Sequence, residues 1–274
     1  MDALLRFLTS HAAGGRVSLK AQMVAAERFC LSPARVEEEI LVSGLVPERY
    51  VRNAQTVTPV MQLVLLRSRA AVIGCGGLGG YVIEELSRIG VGTIVAVDPD
   101  TFEEHNLNRQ ILADMTTLGD PKVVAAVRRV SAINPAVTVI PHRTTLTAEN
   151  AGELLAGAQV AVDGLDSIRD RLVLAEACGA LGIPLVHGSI AGWYGQLTTQ
   201  FPGEQTLQAA FASCDQEQGV ERELGCLSCT AALVASMEAA EAVKIILNEG
   251  APLRKRLVSV NLLDMDMGET PIEG

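Results

Sequence analysis

A glycine-rich turn between an apolar run and a helical pattern constrains this chain more than any other feature. The apolar run 70–73 is typical of a short buried strand. The turn that follows it is Gly74-Cys75-Gly76-Gly77-Leu78-Gly79. Glycines let the backbone turn tightly and approach a ligand closely, and the next helix presents unpaired N–H groups and a positive dipole end. We therefore predict a phosphate-binding turn, with a turn needed only for packing as the alternative.

Strand and helix patterns alternate from Arg69 onward. The predicted strands are 70–73, 93–97, 137–140, 160–163 and 184–187. The predicted helices between them are 78–89, 121–133 and 167–181, with a further short helix after Thr147. This rhythm predicts an α/β fold with a doubly wound (Rossmann-like), mostly parallel sheet. Hydrophobic residues make up 49 % of the sequence and aromatic residues only 3 %, which suits a parallel sheet covered by helices.

The two ends of the chain depart from this alternation. An antiparallel strand at 193–201, a long helix at 227–248 and a last strand at 256–262 form a predicted antiparallel C-terminal extension. Residues 1–48 are predicted to be a wholly helical N-terminal arm, with the acidic run 37–39 on its wet face. A helix-turn-helix DNA reader is the alternative for this arm, but the basic face it needs is missing.

Charge and composition exclude several classes of protein. The net charge of −10, without a long basic run, argues against a nucleic-acid or anionic-membrane surface. We see no targeting segment and no apolar run near the roughly 20 residues that span a bilayer. The six cysteines are therefore interpreted as reduced thiols. We expect a cytoplasmic protein that contacts neither nucleic acid nor membrane.

Charged residues follow the second predicted strand, where ligands of doubly wound folds bind. Asp98 stands at the strand end, in the position that accepts hydrogen bonds from ribose hydroxyls. A dinucleotide dehydrogenase would look the same up to this residue. The residues beyond it are less typical of one: Asp100, Asn106, Arg109, Gln110 and Lys122.

Lys122 is predicted in the first turn of a helix, where the helix dipole disfavours a cation. It therefore needs a compensating anion, and a triphosphate supplies one. A solvated surface lysine is the alternative. Past the fourth strand, Leu165 and Asp166 follow Asp163, with Arg171 one turn further on. Mg²⁺ prefers few carboxylates together with phosphate oxygens, so Asp166 is a candidate Mg²⁺ ligand, or otherwise a helix N-cap.

Taken together, these segments resemble the MoeB/ThiF/HesA family of ubiquitin-activating-type adenylyltransferases. The resemblance covers about residues 48–262 and implies that residues 49–274 form an ATP-binding adenylation domain. It implies that Asp98 holds the ribose and that Asp166 holds Mg²⁺. The implied phosphate-binding residues are Asn106, Arg109 and Lys122. The remaining implied nucleotide contacts are Gly74, Gly76, Gly77, Leu78, Gly79, Asp100, Gln110 and Leu165.

The resemblance also implies partners. Arg52, in Arg49-Tyr50-Val51-Arg52, matches a family pattern whose last arginine reaches the nucleotide of the other subunit of a homodimer. Asn53 stands where the family usually has Gln, and an ordinary surface arginine is the alternative for Arg52. The implied substrate is a small ubiquitin-like sulfur carrier with a C-terminal Gly-Gly, as in thiamine or molybdopterin biosynthesis. With no rhodanese-like domain, sulfur would come from a separate donor protein.

The cysteines depart from the family pattern. Many relatives hold structural zinc with two Cys-x-x-Cys pairs, whereas this chain has only Cys226 and Cys229. Cys214 is a possible third ligand and His187 or His105 a possible fourth, but a closed site needs four ligands and the spacing requires neither. We therefore expect no zinc. Some relatives carry a reactive cysteine where this chain has Glu221, so a catalytic role for Cys214, Cys226 or Cys229 stays open.

The implied reaction needs no side-chain base, because the carrier carboxylate is itself the nucleophile that attacks the α-phosphorus. Arg109, Lys122, Asp166 and Arg52 are the predicted catalytic residues, acting by positioning and charge neutralisation. An NAD(P)-dependent oxidoreductase explains Asp98 but not Arg109, Lys122 and Asp166. A non-catalytic nucleotide- or carrier-binding relative is the third hypothesis. The sequence does not name the carrier or its pathway.

Overall fold

The computed structural model describes residues 2–212 and 221–272. Its α-helices are α1 Asp2–Ser10, α2 Leu19–Phe29, α3 Pro33–Val42, α4 Pro59–Leu66, α5 Gly77–Ile89, α6 Lys122–Ile133, α7 Ala151–Leu154, α8 Ile168–Leu181, α9 Thr206–Phe211, α10 Glu221–Leu224 and α11 Ser228–Leu247. Its strands are β1 Ala12–Ala13, β2 Arg16–Val17, β3 Val46–Pro47, β4 Arg69–Ile73, β5 Thr93–Val97, β6 Thr138–His142, β7 Val160–Asp163, β8 Leu185–Ala191, β9 Tyr194–Gln200, β10 Arg256–Asn261 and β11 Asp266–Pro271. Single 3₁₀ turns lie at Glu48–Tyr50 and Glu104–Asn106.

Eight strands form one large sheet in the order β11-β10-β9-β8-β7-β4-β5-β6. The five strands from β8 to β6 are parallel, and β9, β10 and β11 extend the sheet antiparallel. The predicted doubly wound sheet with an antiparallel C-terminal extension is confirmed. Because β4 pairs with β5 on one side and with β7 on the other, the strand order reverses there, and a crevice opens at the carboxyl ends.

The alternating side chains of β4 explain why helices cover both faces of the sheet. Ala70 and Val72 pack into one apolar cluster with residues of α5, α6 and α11. Ala71 and Ile73 point to the opposite face and pack with residues of α7 and α8. Since neither face is polar, this strand is a continuous apolar run, as expected for a buried parallel strand.

Serine side chains cap the N-termini of α2 and α3 in the arm. Ser18 accepts a hydrogen bond from the Ala21 N–H, and Ser32 accepts one from the Arg35 N–H. These side chains satisfy N–H groups that have no partner within the helix. The arm has its own apolar cluster, which includes Leu8, Val17 and Ile40.

Three expectations about the ends of the chain are wrong. The arm is not wholly helical, because β1, β2 and β3 form a small sheet in which β2 and β3 pair parallel. Glu37 does not face water but is fully buried, because Arg49 and Tyr50 fold over it. The strand β10 is not the last strand, because β11 follows it and pairs with it antiparallel along its whole length. In addition, α4 lies in a segment where no helix was predicted.

Among the helices that the structure describes, none combines the length and the apolar character needed to cross a membrane. The division into an arm at 1–48 and a nucleotide-binding domain from residue 49 stays a prediction.

Candidate active site

A cavity of about 340 Å³ opens at the carboxyl ends of β4, β5 and β7. Most of the predicted site residues line it: Gly74, Gly76, Gly77, Leu78, Asp98, Asp100, Arg109, Gln110, Lys122, Leu165 and Asp166. These residues come from five separate stretches of the chain, which meet because parallel strands end at one edge of the sheet. The cavity is thus the candidate active site.

The glycine turn is packed so closely that side chains are excluded at two of its positions. A Cβ on Gly79 would lie 1.8 Å from the Gly74 carbonyl oxygen, so α5 can approach the turn only through a glycine. Gly74 has a φ of +95°, and a Cβ there would lie 2.4 Å from the Gly164 oxygen. Gly79 therefore serves packing and is not among the cavity-lining residues, whereas Gly76 and Gly77 face the cavity.

Asp98 connects the end of β5 to the glycine turn. One carboxylate oxygen accepts a 2.7 Å hydrogen bond from the Cys75 N–H, and the other accepts a 2.8 Å bond from the Asp100 N–H. Each carboxylate oxygen can accept a further bond. Asp98 is therefore held rigidly in the cavity wall with acceptor capacity left for a ligand hydroxyl.

Lys122 is nearly buried in the first turn of α6. Its Nζ lies 3.0 Å from an Asp100 carboxylate oxygen and 3.8 Å from one of Asp98. The expectation that a triphosphate must compensate this cation is therefore wrong, because the protein's own carboxylates already do so. The lysine is nonetheless cavity-lining, and these carboxylates hold its ammonium group in place for an anion.

Arg109 lies above the N-terminus of α5. A Cβ on Gly77 would be 3.8 Å from the Arg109 side chain, so the guanidinium stem covers the glycine turn. Its Nη1 donates to the Asn108 side-chain oxygen at 2.9 Å and to the His105 carbonyl at 3.3 Å. These two neutral acceptors orient the guanidinium without neutralising it, so its charge is available to an anionic ligand.

Gln110 is buried beside the turn, and its Oε1 has no hydrogen-bond partner among the described residues. A buried acceptor without a partner is costly, and a donor on a bound molecule would remove that cost. The cavity thus contains the unpaired acceptor of Gln110, the two cationic side chains of Arg109 and Lys122, and the glycine turn. This donor and acceptor set fits a phosphorylated, hydroxyl-bearing ligand such as a nucleotide.

Besides Gly79, two predicted residues lie outside the cavity lining. Asn106 is buried, and its side-chain oxygen accepts a 2.9 Å hydrogen bond from the Glu103 N–H, so it caps the 3₁₀ turn. Arg52 lines a second cavity of about 630 Å³ together with Arg49, Glu85 and Arg88. Arg52 is predicted to reach the nucleotide of the other subunit. Its position outside the nucleotide cavity of the same chain therefore does not test that prediction.

The turn after β7 is held by a buried charge cluster. The Asp163 carboxylate accepts from the Leu165 N–H at 2.9 Å and contacts His187 Nδ1 at 2.7 Å. Arg171 donates from Nη2 to the Leu165 carbonyl at 2.7 Å. Because a carboxylate oxygen accepts, the His187 Nδ1–H donates to Asp163 and the ring is not a metal ligand through that atom, while burial lowers the pKa of His187. The shape of the turn that carries Asp166 depends on this cluster.

Asp166 is exposed and lines the cavity. The alternative that it caps α8 is wrong, since the cap is Ser167, which accepts from the Asp170 N–H at 3.4 Å. The carboxylate is therefore not used in the helix start. A single carboxylate beside a phosphate site matches the ligand set that Mg²⁺ prefers. The Mg²⁺ site stays a prediction.

Sequence reasoning missed some of the cavity wall. Thr144, Thr145 and Leu146 follow β6, and Ile190 lies on β8. No charged or glycine-rich motif marks these residues, and only their position after or within strands of this sheet indicates them. They come to the cavity because their strands end at the same edge of the sheet as the glycine turn.

The cysteines differ in their surroundings. Cys75 is buried in the glycine turn, and burial raises the pKa of its thiol, as expected for a packing residue. Cys226 lines the cavity just before α11, and Cys229 is exposed in the first turn of that helix. Cys214 lies outside the described residues. Within 2–212 and 221–272, no group of three His, Cys, Asp or Glu side chains is placed to hold a metal ion. The absence of zinc stays a prediction.

Glu238 on α11 is buried against β8, with its carboxylate beside the Gly188 backbone. Burial raises its pKa well above the ordinary value of 4.5. A raised folded-state pKa gives stability that is complete below about 4.5 and is lost as the pH rises toward the folded value. We expect Glu238→Gln to raise the melting temperature increasingly as the pH rises above 4.5, with no gain below it. An equal gain at every pH in a melting series would contradict this.

Known proteins are similar to this chain in sequence and in fold. The sequence profile of the ThiF family matches residues 50–273. The SAMP-activating enzyme E1 of Haloferax volcanii is 36 % identical over 228 residues, which are 82 % of this chain and 84 % of that protein. The sulfur carrier protein adenylyltransferase of Thermus thermophilus is 34 % identical over 229 residues, 79 % of this chain and 84 % of that protein.

The crystal structure of E. coli MccB matches with a TM-score of 0.70 and 19 % identity, covering 82 % of this chain and 69 % of MccB. At that identity the likeness supports the fold alone. The profile match continues through β11, further toward the C-terminus than the resemblance seen in the sequence. With most of the chain matched and the glycine turn, cations and acidic strand ends assembled in one cavity, the expected resemblance is confirmed: the chain belongs to the ThiF family.

Proposed function

We propose that this chain is an ATP-dependent adenylyltransferase that activates the C-terminal glycine carboxylate of a small ubiquitin-like sulfur carrier. One observation carries the proposal: Arg109, Lys122 and Asp166, from three segments, line one cavity with the glycine turn. The relatives named SAMP-activating enzyme E1 and sulfur carrier protein adenylyltransferase support the carrier as substrate.

The reaction joins two anions, so charge neutralisation is its main requirement. A carboxylate oxygen of the carrier attacks the α-phosphorus, the bond from that phosphorus to the bridging oxygen breaks, and pyrophosphate leaves. Asp98 accepts from the ribose, and Lys122 and Arg109 bind the phosphates. Asp166 would hold Mg²⁺, which supplies further neutralisation of the phosphate charge. The attacking carboxylate is already deprotonated at neutral pH, so no general base is assigned.

An exposed apolar surface beside the cavity supports a protein substrate. Trp193 and Tyr194, at the β8–β9 turn, are each 44 % exposed, and Leu263 and Met265, between β10 and β11, are 58 % and 82 % exposed. The Leu262 N–H donates to the Trp193 carbonyl, which joins the two turns. Contiguous exposed apolar side chains mark interaction surfaces. The β8–β9 turn also pairs with Cys226, which lines the cavity.

The finer assignments belong to the same proposal. The enzyme acts as a homodimer in the cytoplasm, uses ATP with Mg²⁺, and receives sulfur for the activated carrier from a separate protein. An NAD(P)-dependent oxidoreductase is not favoured, because three charged residues of the cavity would have no role in it.

Isotope exchange between pyrophosphate and ATP tests the function. We expect exchange that requires Mg²⁺ and a carrier ending in Gly-Gly, because pyrophosphate returns to ATP only through the acyl-adenylate. The matched control is the same carrier without its last glycine, which should give background exchange. Failure with every candidate carrier, together with tight NAD(P) binding, would replace this proposal by the oxidoreductase.

A further inference from the structure

The N-terminal arm contributes a buried carboxylate to the segment that carries Arg52. Glu37, on α3, has no exposed surface. It forms an ion pair with Arg49 and accepts a 3.0 Å hydrogen bond from the Tyr50 hydroxyl. Arg49 also donates from Nη2 to the side-chain oxygen of Gln22 on α2, at 3.2 Å. Two helices of the arm thus hold two adjacent residues of the following segment.

The body of the protein holds the same segment from the other side. The side-chain nitrogen of Asn134 donates to the Tyr50 oxygen at 2.8 Å and to the Ser87 carbonyl at 3.0 Å. The Tyr50 hydroxyl is therefore hydrogen-bonded to both Glu37 and Asn134. Since buried polar groups need all their partners, this cluster permits one conformation of the 3₁₀ turn that ends at Tyr50.

Arg52 lies two residues after Tyr50 and is exposed. Within the described part of the chain, its guanidinium makes no hydrogen bond or ion pair, although it lines the second cavity beside Arg49 and Arg88. A cation held in a fixed segment without an internal partner is suited to a ligand or a second molecule. Its backbone continues from the turn that Glu37 holds, and the Asn53 N–H donates to the Tyr50 carbonyl across Arg52 at 2.8 Å.

We propose that Glu37 is a positioning residue for Arg52, so that the N-terminal arm of one subunit serves the adenylation site of the other. The inference rests on the proposed function, as a homodimer, and on the role toward the partner subunit's nucleotide that the family resemblance implies for Arg52. It assigns a role to the arm, which lies before the family match at 50–273. Glu37 itself touches neither nucleotide nor carrier.

Removal of Glu37 should reduce activity while leaving the residues of the nucleotide cavity in the same subunit unchanged. In Glu37→Ala, Arg49 and Tyr50 lose their shared acceptor, and we expect pyrophosphate exchange to fall by about 10-fold or more. Because Arg109, Lys122 and the glycine turn are unchanged, equilibrium ATP binding by the variant homodimer should weaken less than exchange falls. The matched control is Glu38→Ala on the same helix, whose ion pairs to Arg35 and Arg67 are exposed. It should exchange like the wild type.

Mixing variants separates positioning from general stability. Glu37→Ala subunits keep a complete cavity, and Lys122→Met subunits keep the arm and Arg52. After subunit exchange, mixed dimers should regain about one quarter of the wild-type sites, since half of the dimers are mixed and each has one complete site. Arg52→Ala mixed with Lys122→Met is the reference and should recover equally. If Glu37→Ala melts too low to assay, Glu37→Gln, which keeps an acceptor but loses the charge, replaces it.

The outcomes are distinct. Recovery in both mixtures supports the proposal. Recovery with Arg52→Ala but not with Glu37→Ala overturns it, because Glu37 would then act within its own subunit. No recovery in either mixture also overturns it, since Arg52 would not act across subunits. In that case, exchange by the wild-type enzyme shows that the adenylation proposal itself still stands.

Discussion

Lys122→Met is expected to lower carrier-dependent pyrophosphate exchange by about 10³-fold while the protein stays folded. The methionine keeps the unbranched stem that fills the first turn of α6 but removes the ammonium group 3.0 Å from Asp100. Asp98 and Asp100 then face the triphosphate as uncompensated anions, so the cavity repels what it should bind. Arg109→Ala should have an effect of similar size, because the guanidinium over the glycine turn is lost.

The control for this prediction is Arg128→Ala on the same helix. Arg128 is exposed and pairs with Asp120 outside the cavity lining, so exchange should stay within about 2-fold of wild type. Circular dichroism and thermal melts of all three variants establish that folding is retained. Near-normal exchange in both Lys122→Met and Arg109→Ala would reject the assigned roles.

Gly79→Ala is expected to destabilise the protein by about 3 to 5 kcal/mol and to reduce the yield of soluble protein sharply. The new Cβ would lie 1.8 Å from the Gly74 carbonyl oxygen and 3.2 Å from the Val72 side chain. Backbone atoms cannot move aside as a flexible side chain does, so α5 would have to shift away from β4. Because native proteins are only marginally stable, this cost removes much of the total free energy of unfolding.

Gly77→Ala is the matched control in the same helix. Its Cβ would meet only Arg109 side-chain atoms, at 3.8 Å, which is ordinary contact. Alanine also favours the helix by about 1 kcal/mol, so stability should be unchanged or slightly higher. Urea unfolding of both variants measures the difference. Equal free energies of unfolding for the two variants would show that the close packing at Gly79 is not what limits the turn.

Much of the fold could be predicted because its signals are local. The strand at 93–97 and the helices beginning near 77, 122 and 168 follow from apolar periodicity and from residues at the helix ends. β11 was missed because its six residues are all exposed and only pairing with β10 makes them a strand. The strands β1 and β2 have only two residues each, which is likewise too short to leave a periodic pattern.

Part of the site could likewise be predicted from the sequence, and part of it could not. The residue types of a nucleotide site are visible in the sequence because each lies between a predicted strand and the next predicted helix or at the start of that helix: a glycine turn, Asp98, Arg109, Lys122 and Asp166. The sequence could not show that Asn106 turns inward to cap its own 3₁₀ turn. Spacing along the chain specifies where a residue lies, but not the direction of its side chain.

What the sequence by itself determined is the class of fold, the family and the strand ends that bear the chemistry, since all three follow from short-range periodicity and local motifs. Only the tertiary structure decided how the charges are paired. Lys122 is compensated by Asp98 and Asp100, and Glu37 is buried against Arg49 rather than exposed. Such pairings join residues up to 24 positions apart, and the energy of a charge depends on its neighbours in space and on its distance from water.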